Sequence, residues 1–118
     1  MKKISFSHNW NNKLSDPQKI FSTIRRSVGD KKEYYKKSVG DIFRVVLGDD
    51  DRGKAKLIHV DEVQFRKIPF PILMLDTGLS KPSEIRDLFE NYGITLDDYA
   101  LILIFERQEE IEEDDIPF

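Results

Sequence analysis

An apolar run close to the C-terminal end, residues 99–105, is almost uninterrupted by polar side chains. It is far shorter than the roughly 20 residues that a membrane-spanning helix requires, but it suits a strand. Because polar and apolar residues do not alternate within the run, both faces of this strand should be buried. We therefore predict a final strand over 97–107 that lies in the centre of a sheet.

The other elements are predicted from periodicity and from turn residues. Alternating or nearly continuous apolar patterns predict four more strands, at 3–7, 21–26, 42–47 and 54–65, the last with a bulge near Asp61 and Glu62. Apolar residues spaced as on one face of a helix predict a main helix over 80–92. Short helical pieces are expected at 16–20 and 71–75, and the basic segment 31–37 is interpreted as a loop.

These elements predict a single α+β domain. The chain has 118 residues, a length that usually forms one domain. One helical crossover among hairpins predicts a mixed, mostly antiparallel sheet of about five to six strands, closed or half-closed into a barrel, with one main helix and one or two short helices. We expect the domain to span 1–108 and the acidic residues 109–118 to form a solvated tail.

Composition excludes several kinds of site. The chain has no cysteine, which excludes disulfides, thiolate metal sites and a cysteine nucleophile. His8 and His59 do not have metal-ligand spacing, and the acidic run 49–51 lacks the alternating ligands of a calcium loop. We therefore predict no metal and no cofactor. The N-terminal segment lacks an apolar signal sequence, so a cytoplasmic protein without a membrane partner is expected.

The charges are unevenly distributed along the chain. Residues 1–37 carry a net charge of +7, whereas residues 38–118 carry −10. A basic segment of this kind can form the binding face for a polyanion such as RNA. The alternative is that both signs mix on the folded surface.

Several ordered motifs resemble the ASCH domain of the PUA-like superfamily. The segment 21–26 (FSTIRR) is similar to a T-I-R segment of that family, and 39–41 (VGD) is similar to its turn before a strand. A GKAKLI strand, a DTGL turn before the helix and a last strand ending in IFE follow in the same order. The resemblance spans about 2–107. It implies a small β-barrel with a cleft that binds RNA or a nucleotide-like ligand.

Some members of this family are amidohydrolases that act on an N4-acylated cytidine. The resemblance implies Thr23 as nucleophile, with Lys19 and Asp76 as the nearest counterparts of the family's lysine and glutamate. A threonine hydroxyl requires a base to remove its proton. Lys19 is displaced by one residue from the family position, so whether the chain is an enzyme stays open. A third possibility is a protein-interaction or inhibitor domain of mobile-element or phage origin.

The candidate ligand-binding residues share positive charge, hydrogen-bonding groups or aromatic rings: Thr23, Arg25, Arg26, Tyr34, Lys36 and Trp10. If Arg25 shares the face of Thr23, it could bind a phosphate through two hydrogen bonds. The alternative is that Arg25 pairs internally with a carboxylate such as Asp41 or Asp76. Tyr34 among lysines could stack on a base, and Trp10 could either bind a planar base or fill one end of a barrel.

Overall fold

A computed structural model describes residues 1–10, 13–14 and 19–108 and contains a five-stranded mixed sheet. Its order is β1-β3-β4-β5-β2, with β1 parallel to β3 and every other neighbouring pair antiparallel. The strands are β1 (Lys2–Phe6), β2 (Ile20–Arg26), β3 (Ile42–Leu47), β4 (Asp50–Gln64) and β5 (Tyr99–Gln108). The α+β class and the mixed, mostly antiparallel sheet are confirmed.

Three α-helices lie within the described residues. They are α1 (Lys31–Lys37), α2 (Phe70–Thr77) and α3 (Pro82–Asn91), and a short 3-10 helix, Phe65–Lys67, connects β4 to α2. The predicted main helix is confirmed as α3. Pro82 starts it, where the missing N–H has no helical partner to lose.

The apolar run predicted to form a central strand is β5, which lies between β4 and β2. Its side chains alternate between two cores. Leu101, Leu103 and Phe105 belong to one core, and Ala100 and Ile102 to the other. Successive side chains on a strand point to opposite faces, so a strand covered on both faces must be apolar throughout.

Helices cover both faces of the sheet. Tyr35 of α1 packs into the first core, against the ring of Phe43. Leu73 of α2 and Phe89 of α3 belong to the second core. Because α3 covers this second face, its C-terminal end lies next to β2, and this placement builds the pocket described below.

The two edge strands β1 and β2 approach each other through side chains. The Phe6 and Phe21 rings meet edge to face with centroids 6.4 Å apart. Arg25 Nη2 donates a hydrogen bond to the Ser5 carbonyl at 2.9 Å. No backbone ladder joins these strands in the described part of the chain, so the sheet is not closed into a barrel.

Three local predictions differ from the structure. The segment predicted as a basic loop forms α1, because Tyr35 is buried and the charges of Glu33 at its start and Lys37 at its end suit the helix dipole. Strand β4 starts at Asp50, so the hairpin turn is shorter than expected. The register irregularity in β4 lies between Leu57 and His59, not near residues 61–62.

Two predicted segments lie outside the described residues. These are the predicted tail at 109–118 and most of the short helical piece at 16–20. The predicted helical turn at 71–75 lies within α2, which extends beyond it at both ends.

Candidate functional site

A pocket of about 240 Å³ lies between the ends of the two edge strands. Ser5 and Phe6 of β1 form one side, and residues 23–26 of β2 form the opposite side. Phe89 and Tyr92, at the C-terminal end of α3, contribute to a third wall. The pocket therefore exists because the sheet curves enough to bring its edges together without joining them.

The pocket is lined by cations. Lys13, Arg25, Arg26 and Lys31 contribute to its wall, whereas none of the described lining residues is an aspartate or glutamate. Positive groups in a concave site favour an anionic ligand, because low-dielectric walls strengthen the attraction. Four of the ten Lys and Arg residues of segment 1–37 thus meet in this wall.

Arg25 is held in this wall by neutral contacts. Its guanidinium donates to the Ser5 carbonyl and lies 4.7 Å from the centroid of the Phe6 ring. Burial lowers the pKa of Arg25, and the charges of Tyr35 and Asp76 oppose this shift. Arginine remains protonated despite such shifts. The alternative interpretation, an internal ion pair from Arg25 to Asp41 or Asp76, is not found: in the described part of the chain Asp41 pairs with Lys2, and Asp76 pairs with Lys13.

Lys13 and Asp76 form a buried ion pair beside the pocket. Their side chains are only 6% and 1% exposed, and Lys13 Nζ lies 2.7 Å from Asp76 Oδ1. Lys13 also donates to the Ser22 carbonyl at 2.8 Å, and Ser22 Oγ donates to the same carboxylate oxygen at 3.1 Å. Asp76 Oδ2 is buried and has no hydrogen-bond partner among the described residues.

Burial shifts the pKa of both partners towards their neutral forms. It raises the pKa of Asp76 and lowers the pKa of Lys13, while the mutual attraction of the two charges opposes each shift. A buried lysine whose pKa is lowered releases its proton more easily than an exposed lysine does. Because Lys13 also lines the pocket, its amine is a candidate proton acceptor for a bound ligand.

An aromatic cluster forms the wall of the pocket near α3. Trp10 meets Phe89 and Tyr92 edge to face, with centroids 5.6 Å and 5.2 Å away. The Tyr92 hydroxyl and His8 Nδ1 are hydrogen-bonded, and Ser7 Oγ lies 3.0 Å from the same nitrogen. Planar groups pack well against such walls, and a heteroaromatic ligand can stack there.

The structure brings four of the predicted site residues together in the pocket: Trp10, Thr23, Arg25 and Arg26. Thr23 is only 6% exposed, and no hydrogen bond of its hydroxyl is found among the described residues. Asp76 is buried next to the pocket but does not line it. Its partner Lys13 connects it to the wall.

The other three predicted residues lie elsewhere. Lys19 is exposed and does not line the pocket; its carbonyl accepts a hydrogen bond from the Arg107 N–H at 2.7 Å. Tyr34 and Lys36 are exposed on α1. Lys2 Nζ lies 5.8 Å from the centroid of the Tyr34 ring, and Tyr34 does not line the pocket.

Sequence reasoning missed Lys13, Lys31 and Tyr92 as pocket residues. Lys13 lies in a polar segment without periodicity, so no local pattern places it next to Asp76 across 63 positions. Tyr92 was assigned to the buried face of the main helix. Its hydrogen-bonding hydroxyl, on a residue at a helix end, was the only signal in the sequence that could have indicated a second role.

The described residues include no group of three or more His, Asp or Glu side chains that could hold a metal ion. No helix in that part of the chain is long and apolar enough to cross a membrane. No family model, no curated protein and no solved structure matches this chain. Its function must therefore be argued from the pocket itself.

Proposed function

We propose that this chain is an ASCH-type, PUA-like module that binds RNA or a nucleotide-like ligand in the basic pocket. The observation that carries this proposal is the composition of the wall. Arg25, Arg26 and Lys31 line the same pocket as the Trp10 and Tyr92 rings, and no described acidic side chain lines it. Nucleotides combine an anionic phosphate with a planar base, and this wall offers a complementary group for each.

The barrel that the ASCH resemblance implies is part of the same proposal. Contacts between the edge strands support it, because the rings of Phe6 and Phe21 and the bond from Arg25 to Ser5 bridge the gap that a barrel would close. On this proposal, the pocket is the gap between the two edge strands, and a ligand binds there. Full closure would remove the free edges but would leave less room between them.

Binding of short single-stranded RNA and of nucleotides to the full chain tests the proposal. Arg25→Ala should weaken binding about tenfold or more, because a charge-assisted hydrogen bond is worth ~1.5–3 kcal/mol. Arg86→Ala is the matched control, since Arg86 is exposed on α3 and does not line this pocket. Affinity should also fall as salt rises. Absence of binding at low salt across the whole panel would refute the proposal.

A second candidate function is a nucleoside amidohydrolase, and the buried Lys13 is the observation that favours it. Thr23 and Lys13 line the same pocket, and Asp76 holds the lysine in place. In this reaction the neutral Lys13 amine would take the proton of the Thr23 hydroxyl as its oxygen attacks the acyl carbonyl. The C–N bond would then break, the leaving amine would receive that proton, and water would hydrolyse the acyl-threonine ester.

Incubation with N4-acetylcytidine tests this second candidate. Turnover should be lost in Thr23→Ala and, in samples that circular dichroism shows to be folded, in Lys13→Met. It should be retained in Lys19→Met, because Lys19 is exposed outside the pocket. The comparison of the two lysine variants separates the residue beside Asp76 from the one that the sequence resemblance implies. Full activity in Thr23→Ala would eliminate the hydrolase mechanism while leaving the binding proposal intact.

A further inference from the structure

The three cations Arg25, Arg26 and Lys31 share one property that Lys13 lacks. No described carboxylate lies within ion-pair distance of them, whereas the charge of Lys13 is matched by Asp76. The charge of Arg26 contributes to lowering the pKa of Asp98, and that of Arg25 opposes the rise in the pKa of Asp76 that burial causes, but both act from beyond this distance. The pocket therefore has three positive charges that no described acidic side chain neutralises by direct contact.

The position of one of these cations is also constrained. Arg25 is fixed between the Ser5 carbonyl and the Phe6 ring. An arginine held by backbone and ring contacts is arranged in advance for an anion, which reduces the entropy lost on binding.

The size of the pocket limits what it can hold. At about 240 Å³ it lies below the range of roughly 300–1,000 Å³ that is usual for sites of drug-sized ligands. Several stacked nucleotides require a groove that tracks the backbone. A pocket of this size suits one nucleotide, with its phosphate at the cations and its base towards the aromatic wall.

On the basis of the proposed function, we infer that the pocket recognises the phosphate monoester of a single nucleotide, either free or at the end of an RNA chain. The decisive distinction is charge. A phosphate monoester carries about −1.5 to −2 at pH 7, whereas each phosphodiester within a chain carries only one negative charge. Three cations without acidic partners match the monoester better than an internal diester.

The experiment compares matched ligands with and without the terminal phosphate, using the full chain. The probes are the 5′-monophosphates of the four ribonucleosides, the four nucleosides, inorganic phosphate, and one short RNA carrying either a 5′-phosphate or a 5′-hydroxyl. Binding is measured by calorimetry and by Trp10 fluorescence. At least one phosphorylated probe should bind about 10- to 100-fold more tightly than its counterpart without the phosphate.

Three variants test whether the pocket cations cause the preference for the phosphorylated probe. Lys31→Ala and Arg25→Ala should each reduce the preference for the phosphorylated probe while leaving the affinity for its unphosphorylated counterpart nearly unchanged. Lys31 is exposed, so its variant should fold even if Arg25→Ala does not. Arg86→Ala should leave the preference unchanged. Tight binding of a free monophosphate and of the phosphorylated RNA are both supporting results, and their ratio identifies the natural source of the phosphate.

Three results would overturn this inference. If RNA and nucleosides bind equally well with and without the phosphate, the monoester inference fails and the proposed function survives. If inorganic phosphate binds as tightly as the nucleoside monophosphates, the pocket is an anion site with no contribution from the base. Absence of binding by every probe would remove the proposed function together with the inference.

Discussion

Lys13→Met should strongly destabilise the fold, because it leaves Asp76 buried without its cationic partner. The Asp76 side chain is 1% exposed and, among the described residues, would keep only the hydrogen bond from Ser22 Oγ at 3.1 Å. Methionine preserves most of the length of the lysine stem, so the substitution removes the charge with little loss of packing volume. The variant therefore isolates the electrostatic role of the amine.

The expected loss follows from the burial of the pair. Removing one partner of a buried ion pair costs about 3–5 kcal/mol of unfolding free energy. A domain of this kind has a total stability of about 5–15 kcal/mol. Lys13→Met should thus remove a large share of the stability, and the urea midpoint should fall accordingly.

The pH dependence of the loss gives an independent test. Burial already raises the pKa of Asp76, and removal of Lys13 raises it further. With a raised pKa, the folded form binds the proton more tightly than the unfolded form does. The buried Asp76 carboxyl therefore destabilises the fold least below its unfolded-state pKa of about 3.9. The deficit of the variant relative to the parent chain should be largest near pH 8 and should shrink as the pH falls towards 4.

Urea unfolding followed by circular dichroism measures these quantities. Lys19→Met is the matched control and should change stability by less than about 0.5 kcal/mol, since Lys19 is exposed. In Lys13→Met/Asp76→Leu no unpaired charge remains, so this double variant should be more stable than Lys13→Met alone. If Lys13→Met unfolds at the same urea concentration as the control, or if the double variant is the less stable of the two, the buried pair does not have the role assigned to it.

Three further predictions concern stability. Glu62→Gln should cost about 0.5–1 kcal/mol of unfolding free energy at pH 7. Ser27 and Lys32 lower the pKa of Glu62, so the carboxylate stabilises the fold above about pH 4.3 and loses this effect as the pH falls through the lowered pKa. The urea midpoints of the variant and the parent chain should therefore converge in acid. Leu103→Ala should cost about 2–5 kcal/mol by the same assay, because this fully buried side chain lies on the central strand; a loss under 1 kcal/mol would contradict the assigned core. Gly93→Ala should lower the unfolding free energy by roughly 1–2 kcal/mol, because the positive φ of 80° strains an alanine, and an unchanged melting temperature would refute this argument.

Much of the secondary structure could be predicted from local patterns. The strand at 42–47 has the same bounds in the sequence prediction and in the structure, and the apolar run near the C-terminus forms the predicted central strand. In both cases burial imposes a repeat of two residues or a continuous apolar stretch, which is visible in the sequence. Helix α1 was missed because only two of its seven residues are aromatic and the other five are charged. Its formation depends on burying Tyr35 against the sheet.

Most of the predicted residues that line the pocket share one strand, and Trp10 is the exception. Thr23, Arg25 and Arg26 were found because they form one short motif, and they do line the same pocket. Lys19 was selected for its sequence distance from Thr23, but a side chain's neighbours in a sheet depend on register and curvature rather than on sequence distance. Lys13, which contacts Asp76, has no periodic pattern around it.

The amino-acid pattern by itself determined the fold class, the central strand, the main helix and the concentration of positive charge in the first third of the chain. Only the tertiary structure decided that the two edge strands meet, that their gap forms a pocket, and that Lys13 rather than Lys19 is paired with Asp76. The physical reason is the distance along the chain over which each feature is determined. Alternation and helix periodicity arise between residues a few positions apart, whereas a pocket between sheet edges depends on curvature summed over five strands.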